Sequence, residues 1–444
     1  MSDVLLALHA THDAKSTNCC QLSVEGRRCM FVPLTEAVVD TCGGKAGALG
    51  ALLRASLPVP DGFVVSFAAY LAAVRDLDLG RFAGESGDPD ATRQAIEARP
   101  VHATVIDALG RALDELGDPP VAVRSSAANE DTCQASAAGQ HESFLAVHGV
   151  SEVAAAVRAC WASLFSPRAI HYRSASGRDD QPSDDPAMAV IVQRHLDAEV
   201  SGVMFTPADP NDATGIEASW GLGPSVVEGK VTPDAYRVAR DGSVARTVAD
   251  KRTRLDRRGT RLVVSDVPTR TRNQPTIDDA TAAQLARLGD EIAAVLGGPQ
   301  DIEWAIVGGR IWVLQARPVT AAPPPPTSPS VASDTPAATL TGTPGSRGSV
   351  TGTARIVRGP GDFARVQPGD ILVCPFTDPA WTPLLRIAAG VVTETGGVLS
   401  HAAIVAREHA IPAVLGIPNA TSRLHDDTII TIDGTTGTVT ATDA

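Results

Sequence analysis

The amino-acid sequence predicts an α/β protein of two folded parts joined by a proline-rich tether. The 444 residues are 43% hydrophobic and 20% charged, which is enough apolar material to bury a core in each of several domains. Helical and strand patterns alternate through the first part, whereas short β-runs dominate the second. The tether, residues 321–340, reads AAPPPPTSPSVASDTPAATL and separates the two.

The first part, residues 34–320, is expected to alternate helices with strands. Apolar residues recur at three-and-four spacing in the predicted helices and run without a break in the predicted strands. The predicted helices are Gly43–Ala55, Val101–Leu116, Ser151–Phe165 and Thr276–Leu296. The predicted strands are Val59–Ser66, Val121–Arg124, Ala187–Gln193, Val200–Thr206, Gly215–Trp220, Asp301–Val307 and Arg310–Val319. Gly308–Gly309 is expected to join the last two strands as a hairpin turn.

The second part, residues 341–444, is rich in glycine and threonine and is expected to hold short strands and one clear helix. The tether before it contains six prolines. At about 3.1 Å per residue, a polyproline II tether would reach roughly 60 Å. A passive spacer and a swinging arm both fit this composition. Residues 1–33 form an N-terminal extension without a readable motif. The predicted elements of the second part are the strands Val350–Val357, Asp370–Cys374, Val391–Thr393 and Thr428–Thr431 and the helix His401–His409.

Charge and cysteine content argue against several classes of protein. The net charge is −13, from 38 basic and 51 acidic residues, which argues against binding to nucleic acid or to an anionic membrane. The basic run Lys251–Arg261 is therefore interpreted as a solvated loop between strands. Seven scattered cysteines favour free thiols in a reducing cytoplasm. Neither a membrane-spanning apolar stretch nor a signal peptide is expected, and the predicted location is cytoplasmic.

Two cationic side chains stand where phosphate could bind. Lys45, in TCGGKAGALG, follows two glycines at the start of a predicted helix, where backbone N–H groups and the helix dipole attract anions. Arg124, in VAVRSSAANED, ends a predicted strand and could grip a phosphate with two N–H donors. Each has an ordinary alternative: a solvated lysine on a turn, and an arginine paired with Glu130 or Asp131.

The predicted hairpin carries a second group of polar residues. Glu303 lies on its first strand, while Gln315 and Arg317 lie on the second and share one face by period two. A carboxylate facing a side-chain amide suits Mg²⁺, and an adjacent guanidinium suits phosphate. A structural salt bridge between Glu303 and Arg317 stays open as the alternative.

His401 begins the predicted helix of the second part, in TETGGVLSHAAIVARE. The dipole at a helix start disfavours an imidazolium and favours a neutral ring with a free nitrogen. Such a nitrogen is a nucleophile, and the helix N–H groups could hold the anion that becomes attached to it. A capping or packing histidine is the alternative.

Nine motifs stand in the order found in a known family: GGKAGALG, PVPDGFVVS, VAVRSSAANED, ASAAGQHESF, VSGVMFT, WGLGPSVVEGKVTPD, DIEWA, VLQARPV and TGGVLSHAAIVAREHAIPAV. Through them the chain resembles the dikinases phosphoenolpyruvate synthase, pyruvate phosphate dikinase and rifampin phosphotransferase. The resemblance covers Leu34–Thr320 and Gly342–Thr440. It implies an ATP-grasp domain with subdomains at about 34–195 and 196–320, followed by a swivelling phosphohistidine domain.

The resemblance also implies roles for the matching residues, with ATP and Mg²⁺ as the ligands. His401 would be the phosphorylated histidine, and Lys45 and Arg124 would assist its chemistry. The implied ligand contacts are Lys45, Arg124 and Arg317 for the ATP phosphates, Glu303 and Gln315 for Mg²⁺, and Gln193 near the adenine.

Departures from the family bear on the phosphoryl acceptor. The pyruvate enzymes carry a barrel domain after the histidine domain, and the rifampin enzyme inserts its antibiotic domain between the two parts; neither is expected here. TDPAWTPL and TETGGVLSH resemble the rifampin type more than the pyruvate type, and Pro224 replaces an acidic or amide residue. The expected acceptor is a small molecule of specialised metabolism, or one bound by a separate subunit.

The implied function is that of an ATP-dependent dikinase that forms phospho-His401 and releases AMP and phosphate. Three alternatives stay open. One is an ATP-grasp ligase that activates a carboxylate and releases ADP. Another is a non-catalytic carrier. The third is the ATP and histidine core of a split phosphoenolpyruvate synthase-like enzyme that works with a separate acceptor subunit.

Overall fold

The computed structural model describes residues 29–75, 77, 89–128, 142–166, 169–170, 187–209, 211–322 and 339–441. Most of the tether and most of the expected N-terminal extension lie outside these ranges. The predicted fold class is confirmed, because the described residues form a mixed α/β structure with sheets of five, six, two and eight strands. Within these ranges, no helix combines the length and apolar character needed to cross a bilayer.

The elements are numbered here along the chain, leaving short 3₁₀ turns unnumbered. The helices are α1 Val39–Arg54, α2 Phe67–Val74, α3 Pro89–Ala98, α4 Ala103–Leu116, α5 Val150–Ala162, α6 Pro224–Val227, α7 Thr269–Arg272, α8 Asp279–Leu296, α9 Thr382–Ile387, α10 His401–Glu408 and α11 Ala420–Arg423. The strands of the first part are β1 Phe31–Pro33, β2 Gly62–Val65, β3 Val121–Ala127, β4 Ser143–Val147, β5 Met188–Arg194, β6 Val200–Phe205, β7 Thr214–Trp220, β8 Asp234–Val238, β9 Val244–Thr247, β10 Thr253–Arg258, β11 Arg261–Asp266, β12 Gln300–Val307 and β13 Arg310–Pro318. Those of the second part are β14 Thr339–Thr341, β15 Thr343–Ser346, β16 Ser349–Ile356, β17 Ile371–Cys374, β18 Gly390–Thr393, β19 Ala413–Leu415, β20 Ile429–Asp433 and β21 Thr438–Ala441.

The first sheet is antiparallel, with the strand order β1-β2-β5-β3-β4. One face packs on helices α2, α4 and α5, where Tyr70 and Trp161 meet edge to face. The other face packs on α1 through residues such as Leu49 and Ile191. Both faces are buried, so β5 reads as a continuous apolar run.

The second sheet is also antiparallel and has the order β13-β12-β6-β7-β8-β9. Side chains alternate between its faces. Met204, Ile302 and Trp304 point towards α8 and join the same core as α1. Val203 and Phe205 point the other way, to the face that meets the second part of the chain.

The third sheet belongs to the second part, with the order β14-β21-β20-β16-β17-β18-β19-β15. Its centre is parallel, from β16 to β19, and its flanks are antiparallel. Helices α9 and α10 pack on one side of this sheet through Leu385, Ala403 and Val405. His401 therefore begins a helix that is anchored on the sheet.

The two parts are packed against each other. An apolar cluster joins Val203, Phe205 and Val226 of the first part to Leu399 and Ile404 of the second. Leu399 and Ile404 flank His401 along the chain. The histidine end of α10 therefore rests on one face of the six-stranded sheet.

The longest helix of the first part begins later than the sequence predicts. The pattern indicates Thr276 as the start, but α8 begins at Asp279. The side chain of Asp278 accepts the N–H of Thr281 and so caps the helix. Thr276 instead donates its N–H and its hydroxyl to the buried carboxylate of Asp234.

The second part contains more helix than the sequence predicts. Helix α10 is the predicted one, but α9 and α11 are also present, so the expectation of one helix is wrong. These two helices have six and four residues, too few to show a helical period in the sequence.

The basic run Lys251–Arg261 is not the solvated loop that the sequence indicates. It forms most of the hairpin of β10 and β11. Lys251 is fully buried against Asp234, and Arg257 pairs with Asp197. Acidic partners also pair with Arg252 and Arg254, so most of the basic charge of this stretch is offset.

Candidate functional site

The hairpin of β12 and β13 brings four polar residues together on one face of the six-stranded sheet. Its register sets Asp301 opposite Arg317 and Glu303 opposite Gln315. A bulge follows at Glu303/Trp304 and changes the register beyond this group. Directly opposed side chains on one face lie about 5 Å apart at Cβ, so these four form a compact cluster.

Arg317 pairs with Asp301 and not with Glu303. Its Nε and Nη2 atoms lie 2.9 and 2.8 Å from Asp301 Oδ2, and both residues are buried. Burial raises the pKa of Asp301, while the Arg317 guanidinium opposes that rise. The salt bridge between Glu303 and Arg317 considered as an alternative is wrong, because cross-strand pairing gives Arg317 a different carboxylate.

Arg124 reaches the same cluster from the five-stranded sheet. Its Nη1 donates to the carbonyl oxygen of Leu314 at 2.9 Å, and its Nη2 lies 3.4 Å from Glu303 Oε2. The side chains of Arg124 and Glu303 keep 14% and 21% of their exposure. This loose, partly open pair leaves N–H donors and carboxylate lone pairs available to a ligand. Glu130 and Asp131, the partners considered for Arg124 in the sequence, lie outside the described residues.

Lys45 lies near the start of the regular part of α1. The helix is kinked at Gly43, which has φ 80° and ψ 171°, and a Cβ there would overlap Ser126 of β3. One residue after Lys45, the N–H of Ala46 donates to Ser126 Oγ at 3.1 Å. Strand β3 therefore holds the helix start and also carries Arg124, two residues earlier in the same strand.

Gln193 lies on β5, deep in the five-stranded sheet. It is 2% exposed, and its Nε2 donates to the carbonyl oxygen of Pro60 at 3.0 Å. This bond ties β5 to the segment that leads into β2. The side-chain amide is thus engaged with the backbone, and contact with adenine stays a prediction.

His401 is buried at the first position of α10, with 5% of its surface exposed. Its Nδ1 lies 2.9 Å from Thr377 Oγ1, and its Nε2 lies 3.3 Å from Thr382 Oγ1. Both ring nitrogens therefore face hydroxyl groups, which can donate or accept a hydrogen bond.

The His401 ring is neutral, as the sequence predicts, but the main cause is burial. Burial first, and the positive charge of Arg317 second, lower the pKa of His401 to about 3. The influence of Arg317 places the histidine in the electrostatic field of the β12–β13 cluster. Six of the seven predicted site residues thus lie on elements around one interface, while Gln193 is committed to a backbone contact.

The donor set fits Mg²⁺. The described residues contain no cluster of three or more His, Cys, Asp or Glu side chains able to hold a metal alone. Glu303 and Gln315 supply one carboxylate and one amide oxygen from opposed positions. Mg²⁺ is commonly held by one or two carboxylates together with substrate phosphates and water, so a sparse set of oxygen ligands is the expected arrangement.

The fold and the site define a class of protein: an α/β protein in which a buried, neutral histidine lies beside a cluster of arginine, carboxylate and amide side chains of the kind that binds phosphate and Mg²⁺. Comparison with known families gives the particular family. The model of the "pyruvate phosphate dikinase, AMP/ATP-binding domain" matches residues 39–333, and that of the "PEP-utilising enzyme, mobile domain" matches residues 366–437. The chain belongs to the pyruvate phosphate dikinase and phosphoenolpyruvate synthase family, whose members use ATP and Mg²⁺.

Two relatives are similar over most of the chain. The probable phosphoenolpyruvate synthase of Methanothermobacter thermautotrophicus is 38% identical over 434 residues, covering 92% of this chain and 62% of the relative. That of Archaeoglobus fulgidus is 37% identical over 427 residues, covering 90% of this chain and 56% of the relative. The chain therefore spans about three-fifths of the length of these relatives.

A solved structure from Pyrococcus horikoshii covers 64% of this chain and 94% of its own, at 12% identity and a TM-score of 0.31. So low a score adds nothing to the assignment, which rests on the sequence family.

Five residues of the site escaped sequence reasoning. Asp301 stands two positions before Glu303, and the strand period together with the opposed Arg317 could have indicated it. Ser126, Thr377 and Thr382 belong to motifs that the sequence displays, but their contacts depend on the fold. Glu217 lies on β7 in an apolar run and gives no signal in the sequence. The five are Ser126, Glu217, Asp301, Thr377 and Thr382.

Proposed function

We propose that this chain catalyses the ATP-dependent phosphorylation of its own His401, the first half-reaction of a dikinase. The observation that carries this proposal is the burial of a neutral His401 against the sheet face that presents Arg317, Glu303 and Gln315. An ATP-grasp ligase has no use for such a histidine. A purely structural histidine has no reason to lie beside this polar cluster.

His401 Nε2 is the proposed nucleophile. If Nδ1 keeps its proton and donates a hydrogen bond to Thr377 Oγ1, Nε2 carries the lone pair. The Thr382 hydroxyl that faces Nε2 before attack must then release this lone pair as ATP arrives. Nε2 then bonds to the β-phosphorus of ATP, and the bond from that phosphorus to the oxygen it shares with the α-phosphate breaks. AMP leaves with the bonding electrons, and His401 carries a pyrophosphoryl group. Transfer of its terminal phosphoryl group to water or phosphate leaves phospho-His401.

The lowered pKa of His401 serves this attack. An imidazolium has no lone pair to offer, whereas a ring with a pKa of about 3 is neutral at any physiological pH. Thr382 Oγ1, at 3.3 Å from Nε2, would donate a hydrogen bond to the phosphoryl group that arrives there. The threonine hydroxyls thus orient the ring before attack and support the product after it.

Three cationic side chains would bind the ATP phosphates from different sides of the site. Lys45 and Arg124 stand on neighbouring elements, and Arg317 lies on the side facing His401. Their charges would offset that of the phosphates and stabilise the charge that moves onto the leaving AMP. Bound Mg²⁺ would supply further charge neutralisation at the phosphate oxygens. Glu303 and Gln315 would hold it there.

The second half-reaction would transfer the phosphoryl group from His401 to an acceptor bound elsewhere. The name of the relatives, phosphoenolpyruvate synthase, favours pyruvate over the specialised metabolite expected from TDPAWTPL and TETGGVLSH. We infer that pyruvate is the acceptor and that it binds away from the ATP site, on this chain or on a separate subunit. The tether, residues 321–340, would let the histidine part leave the ATP site and reach it. Incubating phosphorylated protein with pyruvate, with and without an acceptor domain from a relative, tests this by measuring phosphoenolpyruvate.

The first half-reaction is tested by labelling with ATP that carries ³²P in its β-phosphate. Wild-type protein with Mg²⁺ should take up one acid-labile, base-stable label at His401 and release AMP. His401→Ala should take up none. His409→Ala, at a half-buried histidine just after the same helix, should label like wild type and serves as the control. Label on the His401→Ala variant would overturn the assignment of His401 as the phosphorylated residue. ADP as the nucleotide product, with no label on the protein, would overturn the proposal in favour of the ligase.

A further inference from the structure

Glu217 is a buried carboxylate that has no role in the bond-making and bond-breaking steps proposed above. It lies on β7, is 3% exposed, and points to the same sheet face as Glu303. Val203 of β6 stands between the two in the register. A carboxylate in such a place is costly unless its oxygens are satisfied.

The second part of the chain satisfies Glu217. Its Oε1 accepts the N–H of Val398 at 2.6 Å, and its Oε2 accepts the N–H of Leu399 at 3.2 Å. These two N–H groups belong to the loop that leads directly into His401. The carboxylate therefore grips the backbone of the histidine loop across the boundary between the two parts.

Gly397 lies in close contact with the Glu217 carboxylate. A Cβ at Gly397 would overlap the Glu217 carboxylate, whose atoms are the three nearest. The positive φ of neighbouring Gly396, 105°, explains that glycine by backbone conformation, whereas Gly397 has no such φ. Gly397 is therefore small because Glu217 occupies the space where its side chain would be.

Other bonds around the loop support the same docked arrangement. Arg407 of α10 donates to the carbonyl oxygens of Val398 at 2.8 Å and Gly345 at 3.0 Å, and its charge attracts Glu217. Thr395 donates its hydroxyl to Gly229 O, in the first part, at 2.6 Å. Of these contacts, those of Glu217 lie closest along the chain to His401.

We infer that Glu217 is a positioning residue that docks the histidine loop on the ATP site, and that it acts in the first half-reaction only. This inference rests on the proposed function, because docking matters only if His401 must meet ATP. When the histidine part moves away, both N–H groups and the carboxylate become open to water. The burial of Glu217, which raises its pKa to about 7, is then relieved. The Glu217 carboxylate thus fixes the position of the histidine loop in the docked arrangement, and its hydrogen bonds to the loop can be replaced by water when the parts separate.

A double-mutant cycle tests the inference. Gly397→Ala should slow single-turnover labelling of His401 because its methyl group meets Glu217. Glu217→Ala should slow it about tenfold or more, since hydrogen bonds to a charged group are lost. The double variant should be no slower than Glu217→Ala alone, because removing the carboxylate removes the overlap. ATP affinity should stay at the wild-type value in all three.

Glu199→Ala is the matched control, because Glu199 also accepts a backbone N–H, that of Gly308 at 3.0 Å, but within the first part. It should label like wild type. Labelling by Glu217→Ala at the wild-type rate, or independent effects that multiply in the double variant, would overturn the inference.

A second readout separates this inference from the proposed function. Small-angle X-ray scattering measures whether the two parts are docked without any need for turnover. Glu217→Ala and Gly397→Ala should each increase the radius of gyration, and Glu199→Ala should not. If wild-type protein fails to label His401, the proposed function fails while scattering still decides whether Glu217 docks the loop. If wild type labels and scattering of all variants is unchanged, the docking inference alone is wrong.

Discussion

Two buried carboxylates on neighbouring strands of one sheet take their hydrogen bonds from different parts of the chain. Asp234 opens β8, and Glu217 lies on β7, where Ala218 is the residue paired with Asp234. Both are almost inaccessible to water. Asp234 finds every partner within the first part of the chain, whereas Glu217 takes its hydrogen bonds from the second.

The partners of Asp234 saturate it. Its Oδ1 accepts from Lys251 Nζ at 2.5 Å and from the N–H of Ala249 at 2.8 Å. Its Oδ2 accepts from the N–H and hydroxyl of Thr276 at 2.8 and 3.0 Å, and from the Tyr236 hydroxyl at 3.4 Å. A buried ion pair of this kind is permanent, because every partner is fixed by the same domain core. Glu217 is satisfied only while the two parts are together, so its burial depends on docking.

The largest effect is expected at the cluster of β12 and β13. Glu303, which pairs loosely with Arg124, is partly exposed to solvent, unlike the buried Asp234 and Glu217. Glu303→Ala and Gln315→Ala should abolish labelling of His401 by removing oxygen ligands of Mg²⁺. Their melting temperatures should stay close to wild type, since the Arg124–Glu303 pair is loose at 3.4 Å and partly exposed. Labelling at several Mg²⁺ concentrations and calorimetry on each variant check this. Full labelling at ordinary Mg²⁺, or a large fall in melting temperature, would contradict it.

The next effect concerns stability and separates Asp234 from Glu217 directly. Asp234→Ala leaves Lys251 buried and unpaired and should lower the free energy of unfolding by about 3–5 kcal/mol. Glu217→Ala should lower it far less, because the groups it leaves can reach water when the parts separate. Chemical denaturation measures both, with Asp241→Ala, at an exposed turn residue, as the control near zero. Equal losses for Asp234→Ala and Glu217→Ala would remove the distinction between a permanent and a conditional partner.

The smallest effect is a pH dependence that docking imposes on the two parts. Burial and Arg317 lower the pKa of His401 from 6.5 to about 3 in the docked arrangement. To the extent that undocking restores the ordinary pKa, this group weakens docking as the pH falls below 6.5. Docking raises the pKa of Glu217 from 4.5 to about 7, so this group strengthens docking as the pH falls below 7. The two effects oppose each other between pH 4.5 and 6.5. Arg317 acts on His401 and Arg407 acts on Glu217, and both guanidinium groups stay charged throughout this range.

Glu217→Gln removes the titrating carboxylate, so the pH dependence of docking in this variant should come from His401 alone. Where docking limits the rate, acidification from about pH 7.5 to about pH 5.5 should slow labelling of this variant by about tenfold, because a base one unit below its pKa is about one-tenth neutral. Labelling of wild type should not slow over this range, because protonation of Glu217 offsets the loss. The ratio of the two labelling rates at each pH is the measurement, since any titration of ATP cancels in it. A ratio that does not change with pH would show that Glu217 keeps its ordinary pKa when docked.

The sequence predicts the local elements well where a period or a turn specifies them. The hairpin at Gly308–Gly309, the apolar strand of β5 and the helix at His401 follow from patterns of a few residues. The two-residue turn fixes the β12–β13 register only as far as Trp304 opposite Val313. A bulge then sets Glu303 opposite Gln315 and Asp301 opposite Arg317, and the turn does not predict it. The alternative pairing of Arg317 with Glu303 is wrong because this bulge places Asp301 opposite Arg317.

The sequence by itself determined the fold class, the family, and the residue types able to bind phosphate, magnesium and a phosphoryl group. Only the tertiary structure decided which acid each base meets: Asp301 for Arg317, Glu303 for Arg124 and Asp234 for Lys251. It also decided that Glu217 meets the loop before His401, 181 residues away at Val398. Backbone N–H groups are present at every residue except proline, so no residue type marks the ones that a distant carboxylate will reach. That choice is made by the packing of α10 and its preceding loop against the six-stranded sheet, which no local sequence pattern indicates.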